Sequence, residues 1–514
     1  RDSMTVGLSI VRNAVRSPDS TPIFGSSNLT YGQLNRRTNK IAHYLNSTLK
    51  KGDRVALFVA NRPEVVEVVG GVAKSGCIYV GLNFRLGNSE LHQIFDNSEP
   101  SLLITDEEHL EMVEAIALEK DIPVVVLDSK KWEDQISSMP ETVPSSLHEV
   151  RHDDDFCIVY TSGTTGRPKG VLFDHARAIQ HATVACLEYE ISADTRYLIQ
   201  IPHNSSVNIT IVPCLTIGAA LAFRDSRNFD PIGFAREVEE QGVTHSFLVP
   251  TQLMRLLDRL PRDLDQQLGG LVTLGYGSSP ISPDRLRELI DRFGSIFNQL
   301  YGMAEIASIG TILRKSDHLK GLHDRPELLA SCGQPSYAVQ VRVVNEAGED
   351  AGIGERGEVI FAGPHVMKGY YRDAERTQEV LIDGWMHSGD IAEISEDGFI
   401  FIVDRKKNLI IRGGLNIAPT EIENVLYRHD QVLEATVIGV PDEEWGEAII
   451  AIVALTQGAS VTSDELRLHC RNSELTSIKI PERVEIWDSL PKNAVGKIAK
   501  NVIRENFWGE GRQV

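Results

Sequence analysis

The sequence predicts an α/β protein: a large N-terminal domain of α/β sheets with a β-barrel-like subdomain, then a small α+β C-terminal domain. Three observations predict it. Short runs rich in β-branched residues alternate with helix-period segments through most of the chain, which implies parallel sheets covered by helices. From about residue 332 the texture changes to alternating β-branched residues broken by glycine turns, the mark of an antiparallel or barrel-like piece. A polar run, DRKKN, then follows the strand-like FIFIV and sets a boundary between residues 404 and 405. At 514 residues the chain is too long for one ordinary domain.

The elements follow in order. The opening stretch reads as helix, and in LTYGQLNRRTNKIAHYL the residues Leu34, Ile41 and Leu45 recur at helical spacing. DRVALFVAN is a short buried strand, and EVVEVVGGVAKSG is a helix closed by Gly76. The strand-like runs SLLITD, PVVVLD, DFCIVYTS, THSFLVPT and LVTLGYG come next, several ending in Gly, Ser, Thr or Asp. Ligands of open α/β sheets gather beyond such carboxyl ends. Past residue 405 there is a glycine-containing turn, a helix over 419–428, the strands ATVIGV and AIIAIVAL, and another helix.

The net charge of −20 argues against nucleic acid as a partner, because binding a phosphate backbone needs a basic surface. The balance is uneven. Residues 405–514 hold 14 Lys and Arg against 16 Asp and Glu, so nearly all the negative charge lies in the first 404 residues. The six cysteines are scattered with no CxxC pair, which fits a reducing, cytoplasmic compartment better than a disulfide or metal framework. No apolar run approaches the ~20 residues of a membrane span, and no signal pattern or targeting ending is visible.

One loop is unusual. YTSGTTGRPKGV, residues 160–171, holds four Thr or Ser hydroxyls, three glycines and two cations. Glycines let backbone N–H groups converge on an anion, hydroxyls add donors, and Lys169 adds a compact charge, so a polyphosphate is the natural guest. A surface turn is the plainer reading. It is not a Walker A loop: counting GxxxxGK[ST] from Gly163, the second glycine is Pro168 and the hydroxyl position is Gly170.

Four further segments occur with that loop: LYGMAE (300–305), MHSGD (386–390), DRKKNLIIRGGLNIAPTEIE (404–423) and PKNAVGK (491–497). Their order and spacing resemble the adenylate-forming superfamily, which contains acyl-CoA synthetases, adenylation domains of peptide synthetases and beetle luciferases. The resemblance covers essentially the whole chain and points to the acyl-CoA ligase branch. It implies a nucleotide- and acyl-binding domain over 1–403, a hinge at Asp404 and a small mobile domain over 405–514. It also implies the chemistry: a carboxylate attacks the α-phosphate of ATP to give an acyl-adenylate and pyrophosphate, and the thiol of coenzyme A then displaces AMP.

Roles follow by resemblance. Thr161, Ser162, Gly163, Thr164, Thr165, Gly166 and Lys169 would hold the β- and γ-phosphates. Asp390 would accept the ribose hydroxyls, with Arg405 assisting. Glu305 would ligate Mg2+, a hard ion suited to one carboxylate plus phosphate oxygens and waters. Tyr301 would lie against adenine, followed by Gly302, Met303 and Ala304, with Gly277, Ser278, Ser279 and Pro280 along the base edge and Asn298 near its amino group. Taken alone, Tyr301 is an ordinary core aromatic and Asp390 an ordinary turn residue. Lys497 would stabilise charge on the carboxylate and α-phosphate oxygens during adenylation. Arg412, Gly413 and Gly414 would border the pantetheine arm after the small domain turns about Asp404.

The acyl pocket is expected around His203, Asn204, Ser205 and Ser206, with Val249, Gly275 and Gly277. The small residues there hint at a roomy cavity for a bulky, aromatic or alicyclic acid. His203 reads equally as a satisfied core histidine. The segment IPHNSSVNI lacks the Phe-Asp of amino-acid activators, and the sequence leaves no room for a carrier domain after Lys497. A small-molecule acid and CoA are thus the expected partners. One departure stands out: where the family has YGxTE, Ala304 replaces the threonine. That allows a second reading, in which only thioester formation from a ready-made acyl-adenylate survives. A third is a non-catalytic nucleotide-binding homologue.

Overall fold

The computed structural model describes residues 4–161, 167–413, 415–493 and 496–508. The chain divides into two compact units: residues 1–341 with 361–386, and residues 342–360 with 387–514. Asp404 lies in the second unit.

The first unit is built on two seven-stranded sheets. In one, the order is Gly369–Tyr370, Lys169–Asp174, Asp155–Thr161, Ile78–Leu82, Arg54–Phe58, Leu102–Thr105 and Val124–Val126. The last five of these run parallel, as the alternation predicts. Strand Ile78–Leu82 is buried along its length, the pattern of a parallel strand covered on both faces. Lys169–Asp174 turns back antiparallel on Asp155–Thr161, because the short loop between them has no room for a crossover helix. Local sequence sets the first helices. Thr30 caps Tyr31–Thr48 and Gln33 reciprocates, a two-way satisfaction of orphan donors. Glu64–Ser75 ends on Gly76 at φ +81.

The other sheet runs Gln334–Pro335, Thr311–Leu313, Phe297–Tyr301, Thr273–Gly277, His245–Leu248, Arg196–Ile199 and Ala220–Phe223. Its parallel strands His245–Leu248, Thr273–Gly277 and Phe297–Tyr301 end together. The turns carrying Val249, Ser278 and Gly302 thus lie along one edge.

In the second unit, the barrel-like segment is a five-stranded sheet in which Trp385–Ile394 runs antiparallel to Ile400–Arg405. A second five-stranded sheet follows, centred on the long hairpin Val432–Asp442 and Gly446–Leu455. Helices Pro419–Tyr427 and Ser463–Arg471 pack Ile422, Leu426, Leu466 and Cys470 onto it. No helix among the described residues is long and apolar enough to cross a membrane.

Candidate functional site

In the first unit, Lys169 opens its strand as the register partner of Thr161. The two ends of the glycine-rich loop are thereby held side by side. Ser162, Gly163, Thr164, Thr165 and Gly166 lie outside the described residues. The Lys169 ammonium sits 5.2 Å from the centre of the Tyr370 ring, a cation–π distance. The Tyr370 hydroxyl donates to Glu305 Oε1 at 2.7 Å. Burial, then the Glu305 charge, pushes the Tyr370 hydroxyl well above its usual pKa, so it stays a donor. Backbone bonds pin this arrangement: Met367 N to Glu305 O at 2.7 Å and Tyr371 N to Gly170 O at 2.7 Å. One tyrosine therefore links the lysine strand to the buried carboxylate. Sequence reasoning missed Tyr370, since MKGYYRD carries no periodic signal and its position depends on pairing across some 200 residues.

Glu305 lies in a short 3-10 turn, 6% exposed. Before it, Gly302 is forced by space: a Cβ there would stand 1.9 Å from the Ser308 carbonyl oxygen. The Tyr301 ring rests 5.9 Å, centre to centre, from Phe361. Met303 N–H and C=O lead into the same tight loop, with Ile306 N and Ser308 N both bonding Met303 O. Eight non-glycine residues among those described have positive φ, and three of them, Ser278, Ala307 and Ser308, lie at these strand ends. Such backbone strain concentrates at functional sites.

Other expected site residues are placed as follows. Asn298 does not share the Tyr301 face of its strand. It is buried, and its amide donates to Glu188 O at 2.6 Å. Glu188 is in turn held by Arg314 and Ser336, so Asn298 braces a helix end. The amide two residues before Tyr301, and hence on its face, is Gln299. His203 is the core histidine of the two readings: Tyr79 Oη lies 3.0 Å from Nδ1 and Val59 O 3.0 Å from Nε2. Burial lowers its pKa to about 4. The glycines expected to open a cavity are filled by the protein itself. A Cβ on Gly275 would meet Phe247 and Tyr189 at 2.8 Å, and one on Gly277 would meet Leu300 O at 2.5 Å. Ser206 spends its hydroxyl on Pro202 O at 3.1 Å. Ser205 and Val249 remain partly exposed. Ser279 and Pro280 follow Ser278 in an exposed turn.

In the second unit, Asp390 and Arg405 face each other across the ladder, Nε to Oδ1 at 3.2 Å. Gly389 N donates to Glu358 at 3.0 Å and Asp390 N to Ser388 Oγ at 3.0 Å, which fixes the carboxylate's direction. Lys497 sits on a turn closed by Lys497 N to Asn493 Oδ1 at 2.9 Å. Desolvation, then the Arg405 charge, lowers its pKa, with Asp390 opposing. The side chain keeps a solvent-exposed surface, so the shift has no weight for stability. Asp404 is buried and accepts from Arg405 N at 2.6 Å and Thr420 N at 3.2 Å. Arg412 packs over Trp445 at 5.1 Å and pairs with Glu482. Gly413, at φ +55, donates to Trp445 O at 2.8 Å and leaves its ring room. Gly414 lies outside the described residues. Among the described residues, no group of three or more His, Cys, Asp or Glu is arranged to hold a metal.

The chain was compared with known proteins. The sequence profile of the AMP-binding enzyme family matches residues 10–371, and that of the AMP-binding enzyme C-terminal domain matches 421–497. A feruloyl-CoA synthase of Amycolatopsis sp is 37% identical over 97% of this chain and 98% of that protein. A medium/long-chain-fatty-acid–CoA ligase of Mycobacterium tuberculosis is 33% identical over 98% of this chain and 90% of its own length. The ATP-bound structure of MatB from Rhodopseudomonas palustris superposes with a TM-score of 0.87 at 28% identity, covering 98% of this chain and 99% of that one.

Proposed function

The chain belongs to the AMP-binding enzyme family, and from that premise we propose that it is an AMP-forming carboxylate–CoA ligase acting on a ring-bearing acid. One observation carries the reading: Asp390 and Arg405 pair across one ladder, and the charges of both act on the Lys497 ammonium, although the residues are far apart in sequence. A carboxylate suited to a ribose and a cation under its influence suit chemistry at the α-phosphate. The acid class is supported by the feruloyl-CoA synthase likeness.

In the first half-reaction a carboxylate oxygen attacks the α-phosphorus of ATP, and the bond to the bridging oxygen of pyrophosphate breaks. Asp390 holds the ribose hydroxyls and Lys497 offsets charge on the transferring oxygens. Lys169 and the loop after Thr161 receive the departing phosphates. Gln299, in place of Asn298, reads the base edge beside Tyr301. A Mg2+ ion, if bound, would neutralise phosphate charge, and Glu305, aimed by Tyr370, would offer it one hard carboxylate oxygen. In the second half-reaction the CoA thiolate attacks the acyl carbon and AMP leaves. Rotation about Asp404 would withdraw Lys497 and bring Arg412 and Gly413 to the pantetheine arm.

The test is a panel of aryl and alkyl acids with ATP and CoA, scoring acyl-AMP and acyl-CoA separately by mass spectrometry. Formation of both supports the ligase. Ala304 favours one rival: acyl-CoA made only from supplied acyl-adenylate would mean that adenylation is lost. Neither product would mean a nucleotide-binding homologue without catalysis.

A further inference from the structure

Within the second unit, a row of four charges links the barrel-like sheet to the elements past Asp404. Arg356 stands just before strand Gly357–Ala362 of that sheet. Its Nε lies 3.2 Å from Glu393 Oε1, on strand Trp385–Ile394 of the same sheet. Its Nη2 lies 2.9 Å from Glu421 Oε1, in the first turn of helix Pro419–Tyr427. The other Glu421 oxygen pairs with Lys479. The order Glu393, Arg356, Glu421, Lys479 thus alternates in sign, and its central pair joins residues on opposite sides of Asp404 in the chain.

Parting that central pair strands no charge. Arg356 keeps Glu393 and Glu421 keeps Lys479, so each side stays paired and no lone ion is left behind. The four side chains are between 27% and 40% exposed. Pairs this open to water bias an equilibrium by a small factor and do not lock it. A link that is made in one arrangement and broken at little cost in another suits a segment that changes place in every turnover.

The same helix supports the Lys497 turn. Glu423, two residues beyond Glu421, accepts from Val437 N at 2.8 Å and from Lys500 Nζ at 2.6 Å. Lys500 begins the last helix, three residues after Lys497. At the other end of the turn Lys492 pairs with Glu434. Where Glu421 is held, the base of the Lys497 turn is therefore held as well.

We propose that Arg356 is a positioning residue for adenylation: through Glu421 it biases the segment past Asp404 toward the arrangement that serves the first half-reaction, and it lets go of Glu421 for the second. This rests on the ligase reading above, with its rotation about Asp404, and adds the residue that sets the balance between the two arrangements.

The experiment follows each half-reaction in single turnovers for the whole enzyme, Arg356→Gln, Arg356→Lys, Glu421→Gln and the double variant Arg356→Gln/Glu421→Gln. Arg356→Gln is expected to slow acyl-adenylate formation about two- to fivefold, the population shift of one half-exposed ion pair. Thioester formation from supplied acyl-adenylate and CoA should be undiminished, and Tm nearly unchanged. Arg356→Lys, which keeps the charge, should recover part of the loss. The double variant should lose no more than the larger single loss, because both act through one contact. Trypsin gives a readout that needs no substrate: cleavage within Arg405–Lys407 should quicken in Arg356→Gln by a similar factor. Equal losses in both half-reactions, no change in either, losses that add in the double variant, or unaltered cleavage each overturn the proposal. Failure of the unmodified enzyme to make acyl-AMP or acyl-CoA from any acid counts instead against the ligase reading, and trypsin then still decides whether Arg356 holds the segment.

Discussion

Arg405 lies directly opposite Asp390 across an antiparallel ladder, its Nε 3.2 Å from Oδ1. Arg405 is half exposed, so the pair contributes at most about 1 kcal/mol to stability. Its consequence is orientation: the carboxylate is aimed by a guanidinium from a neighbouring strand. Asp390→Ala should therefore leave Tm nearly unchanged. It should lower kcat/KM for ATP by roughly 10- to 100-fold, the loss expected for one or two charged hydrogen bonds. Steady-state kinetics with ATP as the varied substrate, alongside a thermal melt, separates the two effects.

Lys497 should matter to one half-reaction more than the other. Lys497→Ala is expected to slow acyl-adenylate formation by about 100- to 1000-fold, the usual cost of removing a group that meets developing charge. Thioester formation from supplied acyl-adenylate and CoA should fall far less. Single-turnover assays of each half-reaction give the comparison. Equal losses in both would place Lys497 in general nucleotide binding.

Tyr370→Phe keeps the ring beneath Lys169 but removes the hydrogen bond to Glu305. The carboxylate then loses its aim. We expect a rise in the Mg2+ concentration needed for half-maximal pyrophosphate–ATP exchange, with about a tenfold drop in rate at low Mg2+. Saturating Mg2+ should recover much of it. A Mg2+ titration of the variant reads this directly.

How much of this was legible beforehand differs by residue. The alternation of strand and helix, the Gly76 stop and the helix starting at Pro419 follow from local periodicity and turn chemistry, and they stand in the structure. Separated motifs put Lys169, Glu305, Asp390 and Lys497 forward as candidates. Asn298 and Gln299 differ by strand parity: Gln299, two residues before Tyr301, shares its face, and the bond from Asn298 to Glu188 agrees with Asn298 facing the other way. The surroundings of Gly275 and His203 were not legible in the sequence: whether a small residue opens a cavity, or a histidine is free, depends on side chains such as Phe247, Tyr189 and Tyr79 arriving from distant strands and helices.

Acid should destabilise the fold through buried neutral histidines. Burial holds His175 at about 3 and His203 and His318 each at about 4. These folded values lie below the unfolded value near 6.5, so between the two the unfolded chain binds more protons and stability rises with pH. As pH falls from about 6.5 towards 4, each such group costs about 3 kcal/mol. Tm is expected to drop steeply below pH 6. His203→Gln should soften the acid drop while lowering stability at pH 7 through its lost bonds to Tyr79 and Val59. Melts across pH 4–8 supply the test.

The central claim is that the acid's own oxygen is joined to AMP. The most direct measurement gives the enzyme ATP, CoA and an accepted acid labelled with 18O in its carboxylate, and weighs the nucleotide released. Attack of the carboxylate on the α-phosphorus, followed by acyl transfer to the thiol, predicts AMP carrying one heavy oxygen from the acid. Acyl-CoA formed alongside unlabelled AMP, or alongside ADP and phosphate, would contradict the account.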